Sequence, residues 1–402
     1  MLNILQFIAS NVTFRTQSMF AEDIEANKEK LRAEIENKSV LVIGGAGTIG
    51  ASFIRAVMKF KPSKLFVVDI NENGLTELTR DLRSTADTYV PDNYLTYPIN
   101  FADPVFEKMF RNEGGFDIVA NFSAHKHVRS EKDLYSVEAL IKNNVVNARK
   151  LLDLLSEFPP EHFFCVSTDK AANPVNIMGG SKKIMEDMIM AYSTQYPITT
   201  ARFANVAFSN GSLLDGFIQR LMKRQPLSAP NDVRRYFVSP DESGEICMLA
   251  CMLGKSGEIY FPKLQPEQML TFSEIATTFL KNSGYHAVEC ETEEAARQMA
   301  KNRSETDPNY PVFYFGSDTT GEKAYEEFFT DSEDVDLSSF HALGIVKNAP
   351  RRPMSEIDLL FSTLTQLFQN PNTSKSDIVE AMKSFLVNFN HEEKGKNLDS
   401  KM

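Results

Sequence analysis

A hydroxyl, a carboxyl and an amine follow one another at Thr168, Asp169 and Lys170, directly after the apolar run His162-Phe-Phe-Cys-Val-Ser167. These types can hold an oxygen, give a proton to a leaving oxygen and take a proton from carbon, which is general acid–base chemistry. Lysine serves as the base only if its pKa falls towards neutrality through burial or a neighbouring cation, and Lys126 and Lys182 are the candidate neighbours. A second feature, Gly44-Gly-Ala-Gly-Thr-Ile-Gly50, places glycines at 44, 47 and 50. They permit a tight turn and close approach of the backbone to a pyrophosphate, with Thr48 and Ile49 opening a helix whose N–H groups face the anion. Asp69 ends the next apolar run. A carboxylate there accepts hydrogen bonds from an adenosine ribose and repels a 2′-phosphate, which favours NAD over NADP; capping of the next turn is the structural alternative. Asn100, Phe101, Ser123, Lys126 and Lys182 complete the expected cofactor lining.

These groups need a scaffold. Ser39-Val-Leu-Val-Ile-Gly44, Lys64-Leu-Phe-Val-Val-Asp69, Phe116-Asp-Ile-Val-Ala-Asn121 and Thr199-Thr-Ala-Arg-Phe-Ala204 are further apolar runs, separated by helical patterns. Such alternation predicts an α/β fold, a Rossmann-type doubly wound parallel sheet with ligands at the carboxyl edge. The expected organisation is an N-terminal helical extension (1–37), an NAD-binding Rossmann domain (38–210), a smaller mixed substrate-binding lid (211–349) and a C-terminal helical extension (350–402). Thr271-Phe-Ser-Glu274 predicts a capping box. In the tail, Ile357, Leu360, Phe361, Leu364, Leu367 and Phe368, then Ile378, Val379, Met382, Phe385 and Leu386, form apolar stripes that pack on the body or on a second subunit.

Of the 402 residues 42% are hydrophobic, and the formal net charge is −11 without a dense Lys/Arg stripe, which argues against a nucleic-acid partner. The four cysteines form no Cys-x-x-Cys pair, so neither a metal site nor a disulfide framework is expected. Met1 to Phe14 is too short to span a bilayer and lacks a basic n-region. A soluble cytoplasmic protein without an integral membrane segment is the expectation.

The ordered segments Gly44 to Gly50, Ala124-His-Lys-His-Val128, Ser167-Thr-Asp-Lys-Ala171, Asn173-Pro-Val-Asn-Ile-Met178, Ser181-Lys182, Arg202-Phe-Ala-Asn205 and Gly321-Glu-Lys-Ala-Tyr-Glu-Glu327 resemble the extended short-chain dehydrogenase/reductase superfamily. More narrowly, the chain resembles bacterial UDP-N-acetylglucosamine 4,6-dehydratases of the capsule (CapD-like) and flagellin-sugar type over roughly 38–345. The resemblance implies tightly bound, recycled NAD and UDP-N-acetylglucosamine as substrate. Oxidation at C4 acidifies C5–H, a base removes that proton, an acid expels the 6-hydroxyl and the hydride returns to C6. Thr168 would hold O4, Asp169 would protonate O6 and Lys170 would take the C5 proton.

Lys182 stands one helical turn after Met178, where most of the superfamily has a tyrosine base. Methionine cannot take a proton, so Asp169, or a water held by Thr168 and Lys182, must accept the O4 proton. Members with methionine there resemble the retaining dehydratases. Lys126, Thr168, Asn205, Ser212 in the Ser209-Asn-Gly-Ser212 loop, and Arg235 are the expected substrate contacts, the guanidinium suiting phosphate. Family members commonly carry Arg-Pro where Thr319-Thr320 stands here. His125 and His127 read as packing or polar-network residues. The helices at 136–157 and 181–195 resemble those of a four-helix dimer contact, implying a homo-oligomer. The alternatives are an inverting dehydratase, a UDP-hexosamine 4-epimerase and a non-catalytic dinucleotide sensor.

Overall fold

Val40, Leu41, Val42 and Ile43 are all buried, the pattern of a strand covered on both faces. In the computed structural model, which describes residues 2–127, 131–317 and 326–391, they belong to a nine-stranded sheet. Its strands are β1 (Ser39–Ile43), β2 (Lys64–Val68), β3 (Asn93–Tyr97), β4 (Ile118–Asn121), β5 (His162–Val166), β6 (Ile198–Ala201), β7 (Glu258–Pro262), β8 (Val335–Asp336) and β9 (Leu343–Val346). The spatial order is β8-β9-β7-β6-β5-β4-β1-β2-β3. Pairing is parallel from β3 through to β7 and antiparallel at β9 and β8. The connection reverses direction between β1 and β4, which opens a crevice at their carboxyl ends. The expected doubly wound α/β architecture is the one the chain adopts.

The segment 211–349 is divided between two layers. Helix Pro240–Leu253 and strands β7 to β9 join the central sheet. A Cβ on Gly244 would sit 2.2 Å from the carbonyl carbon of Ser52, so only glycine lets this helix lie against helix Thr48–Met58. The remainder builds a small parallel sheet from Leu227–Pro230, Asn309–Phe315 and His286–Glu289, with helices Leu213–Met222 and Phe272–Asn282 packed on it. Thr271 and Glu274 form the expected reciprocal cap of the latter helix.

The N-terminal extension is stitched to both layers. Phe7 of helix Ile4–Asn11 packs edge-on against Phe208 and Phe279, both at 5.8 Å. Arg15 pairs with Glu242 at 2.7 Å, and the Asp23 carboxylate accepts the N–H groups of His341 and Ala342. The two tail stripes join the main core on helices Met354–Gln369 and Lys375–Phe385. A Cβ on Gly180 would meet the Met382 methyl at 2.6 Å, Arg352 reaches Asp187 at 3.0 Å, and Arg149 reaches Asp358 at 2.8 Å. Part of the helical surface that the resemblance assigns to a dimer contact therefore carries the chain's own C-terminal helices. Among the described residues, no helix is long and apolar enough to cross a membrane.

Candidate functional site

The glycine-rich turn sits at the crevice. Gly44 adopts φ +76°, and a Cβ on Gly50 would lie 2.4 Å from the Gly44 oxygen, so the turn closes only around glycine. Gly47 is the N-cap of helix Thr48–Met58, offers no side-chain cap, and the first turn carries no acidic residue. The leading N–H groups thus face a groove of about 270 Å³. Gly44, Gly47, Thr48, Ile49, Gly50, Asp69, Asn100, Phe101, Ser123 and Lys126 all line it, together with His125 and Asn143. This uncapped helix start fits an anionic dinucleotide.

Several lining residues also hold the groove's own loops. Asp69 Oδ2 accepts the Ala46 N–H at 3.0 Å and Oδ1 that of Asn71 at 2.9 Å. Asn100 Oδ1 accepts the Ala102 N–H at 2.9 Å. The Thr48 hydroxyl oxygen accepts the Asn210 N–H at 2.9 Å and Lys126 Nζ donates to the Asn210 carbonyl at 3.2 Å, drawing the Ser209–Ser212 loop over the glycine turn. Ser212 caps helix Leu213–Met222 at Asp215 N. Desolvation pulls the Lys126 pKa down, partly opposed by Asp215.

A second cluster stands beyond β5. Thr168 caps the short turn Asp169–Ala171. Its hydroxyl donates to Asp169 Oδ1 at 2.7 Å, and Lys170 Nζ donates to both Asp169 oxygens at 3.1 and 3.2 Å. Asn205 and Arg235 meet them through Glu326, a carboxyl not singled out from the sequence. Glu326 Oε1 accepts from the Asn205 amide and lies 3.5 Å from Arg235 Nε and 4.0 Å from Lys170 Nζ; Oε2 accepts the Tyr236 N–H at 3.1 Å. Burial, with the Asp169 carboxylate, pushes Glu326 up to about 8.

One expectation is overturned here. Burial works to lower the Lys170 pKa, but Asp169 and Glu326 outweigh it and the net shift is upward. The cation beside Lys170 is Arg235, not Lys126 or Lys182. Lys182 Nζ instead donates to the Val166 carbonyl at 3.0 Å, only 4% exposed, with its pKa lowered by desolvation. It does not line the dinucleotide groove. Met178 is buried in the main core, and its N–H donates to Glu131 at 2.8 Å.

Two networks hold these clusters in place. Arg202, fully buried, reaches Glu186 at 2.9 and 3.0 Å, Glu333 at 2.8 and 2.9 Å, and the Phe328 carbonyl at 2.9 Å. The Ser167 hydroxyl donates to Glu186 at 2.6 Å, so one guanidinium joins the strand end before Thr168 to the segment after Glu326. On the other side Asn144 accepts the His125 N–H at 2.9 Å and donates to the His125 carbonyl and to Ser181 Oγ, both at 3.0 Å. Asn144 lies in a π-turn, Lys142–Asn147, an irregularity that simple helical periodicity does not reveal. Burial lowers the His125 pKa. Thr319, Thr320, the start of the Gly321–Glu327 motif and Val128 lie outside the described residues.

The profile of the polysaccharide biosynthesis protein family matches residues 40–348. An uncharacterized membrane protein, MJ1061, of Methanocaldococcus jannaschii is 27% identical over 318 residues, covering 77% of this chain and 86% of that protein. The capsular polysaccharide biosynthesis protein CapD of Staphylococcus aureus is 28% identical over 243 residues, 60% of this chain but only 40% of CapD. A UDP-N-acetylglucosamine 4,6-dehydratase (inverting) of Campylobacter jejuni is 25% identical over 245 residues, 58% of this chain and 69% of the enzyme. Among solved structures, Pen from Bacillus thuringiensis superposes with TM-score 0.63 at 19% identity, covering 79% of this chain and 89% of Pen. DesIV, a dTDP-glucose 4,6-dehydratase from Streptomyces venezuelae with NAD and TYD bound, gives 0.56 at 17%, covering 83% and 97%. The structural likenesses establish the fold; the match over most of the chain establishes that it belongs to the polysaccharide biosynthesis protein family.

Proposed function

We propose that the protein is an NAD-dependent UDP-N-acetylglucosamine 4,6-dehydratase that retains configuration at C5. The observation that carries this reading is the hydrogen-bonded trio Thr168, Asp169 and Lys170, set at the same sheet edge as a groove suited to a dinucleotide. Bound NAD would supply the acceptor for the hydride that leaves C4, which makes the ketone the product keeps, and the donor of that hydride to C6. Thr168 Oγ1 holds O4 and passes its proton to Asp169, the partner its own hydroxyl already addresses. Asp169 then gives that proton to O6, which leaves as water. Lys170, acting from the minor fraction whose amine is free, takes the C5 proton and returns it to the same face, which retains configuration. One proton thus enters and leaves each of Asp169 and Lys170, and no tyrosine is required at position 178.

Arg235 and the Ser209–Ser212 loop hold the diphosphate on either side, and Asp69 faces the adenosine ribose. In this reading the enzyme works as a soluble, cytoplasmic homo-oligomer on precursors of surface glycans. The purified protein, incubated with UDP-N-acetylglucosamine in deuterated water, should yield a 4-keto-6-deoxy product lighter by about one water, with C5 deuterated in the original configuration by proton NMR. An isobaric epimer, or unchanged substrate, would overturn the reading.

The groove makes its own prediction. Gly50→Ala drives a methyl group against the Gly44 oxygen and Gly45 Cα, which are backbone atoms that cannot rotate away. NAD affinity by calorimetry should fall at least about tenfold. Unchanged affinity would mean that the turn does not hold the pyrophosphate.

A further inference from the structure

We propose that Phe7 and Phe208 are positioning residues for the dinucleotide: their ring contact holds the Phe208–Ser212 loop closed over the glycine turn and so slows escape of the cofactor. The proposal rests on reading the groove as the dinucleotide site and not on the dehydratase chemistry. Phe208 is the third residue of the turn Val206–Ser209, which the Ser209 N–H closes on the Val206 carbonyl at 3.2 Å. Its φ is +54°. Glycine or asparagine usually fills a turn position of that sign, because a side chain there crowds the backbone. A phenylalanine persists only where its surroundings offset that cost.

The offset comes from the ring. Phe208 is buried, meets Phe7 edge-on at 5.8 Å and meets Phe279 at 5.9 Å. Phe7 and Phe279 also meet each other at 5.8 Å, so rings from three separate segments close one cluster. Phe7 comes from the N-terminal helix Ile4–Asn11. The same extension reaches the strand beside the turn: Arg15 Nη2 donates to the Phe237 carbonyl at 3.1 Å, and Phe237–Val238 pairs with Asn205–Val206. Two residues after Phe208, Asn210 ties the loop to the groove. Its N–H donates to Thr48 Oγ1 at 2.9 Å and its carbonyl accepts from Lys126 Nζ at 3.2 Å, and both partners line the groove. Asn210 is exposed, and two solvent-facing hydrogen bonds alone hold a loop weakly. The buried Phe208 ring fixes the backbone that presents them. Without that anchor Phe208 relaxes to negative φ, which turns the following peptides and carries Asn210 away from Thr48.

The test loads the protein with NADH, adds excess NAD without any sugar, and follows loss of the bound-NADH fluorescence as a dissociation rate. Phe7→Ala should speed release about tenfold, because both ring pairs that Phe7 makes are lost. Phe7→Leu, which keeps most of the bulk, should restore part of the slow release. Ile8→Ala removes buried apolar surface from the same helix and the same cluster. It should lower the melting temperature and leave the release rate as in the wild type. Phe208→Ala should release NADH faster than Phe208→Gly, because glycine takes φ +54° without steric cost and alanine does not. Release unchanged in Phe7→Ala, or sped equally by Ile8→Ala, would make the helix a structural prop only and overturn the proposal. So would Phe208→Gly releasing as fast as Phe208→Ala or faster.

A cofactor-free arm keeps this separate from the reading of the groove. In amide hydrogen exchange, the Asn210 N–H that Thr48 accepts should exchange faster in Phe7→Ala than in the wild type and stay protected in Ile8→Ala. Exchange at Asn210 that is indifferent to Phe7 overturns the proposal. A wild type that takes up no NADH while this difference holds counts against the dinucleotide reading alone.

Discussion

Replacing Lys170 with alanine should lower formation of the 4-keto-6-deoxy product by about 10²–10⁴-fold, the span that a positioned base contributes. Lys170 is the amine that closes the acid–base cluster, and no other described lysine reaches it: Lys182 is committed to the Val166 carbonyl and Lys126 to the Asn210 loop. The loss should fall on C5 chemistry. Deuterium incorporation at C5 should disappear in step with product, while bound NAD and the circular-dichroism spectrum stay as in the wild type. Alanine leaves Asp169 without its cation and Glu326 with Arg235 alone, which has a cost of its own. Lys170→Met keeps the bulk, and the two variants should agree. Full activity in either would remove Lys170 from the chemistry.

Arg202→Met should destabilise the protein by about 3–5 kcal/mol, the usual cost of removing one partner from a buried ionic cluster. Both Glu186 and Glu333 lose their bidentate partner, and Ser167 is left hydrogen-bonded to a carboxylate whose remaining cation is Lys183 at 3.8 Å. The pH dependence should also invert. In the wild type burial raises the Glu186 pKa, but Arg202 outweighs it and the net shift is downward. That stability is present above the unfolded carboxyl value and is lost as pH falls through the folded one. Without Arg202, burial is opposed only by Lys183 and the Ser167 hydroxyl, so the glutamate should gain stability as it protonates. Urea unfolding should therefore show a larger deficit near pH 7.5 than near pH 5. An equal deficit at both would mean that Arg202 acts through packing alone. Activity should fall too, because the same guanidinium spaces Thr168 from Glu326.

The parts of the site that were legible in the sequence are those whose neighbours along the chain are also their neighbours in space. Gly44 to Gly50 forms one turn, so the spacing of its glycines reports its geometry. Thr168, Asp169 and Lys170 sit on a single short turn at a strand end, and their juxtaposition follows from their adjacency. Strand identity was equally open to reading, because strands buried on both faces need continuous apolar runs.

What the chain alone determined, then, is the α/β sheet, the dinucleotide turn and the order of the reactive triplet. The electrostatic state of that triplet was decided only in three dimensions. Lys170 owes its raised pKa partly to Glu326, far away in sequence, and Arg235 rather than Lys182 is the cation it meets. Arg202 likewise joins Glu186 to Glu333, and Asn144 reaches His125 through a π-turn that simple helical periodicity does not register. Side-chain type announces what a residue can do. Its charge depends on desolvation and on partners within a few ångströms, and those are set by packing between segments that the sequence keeps apart.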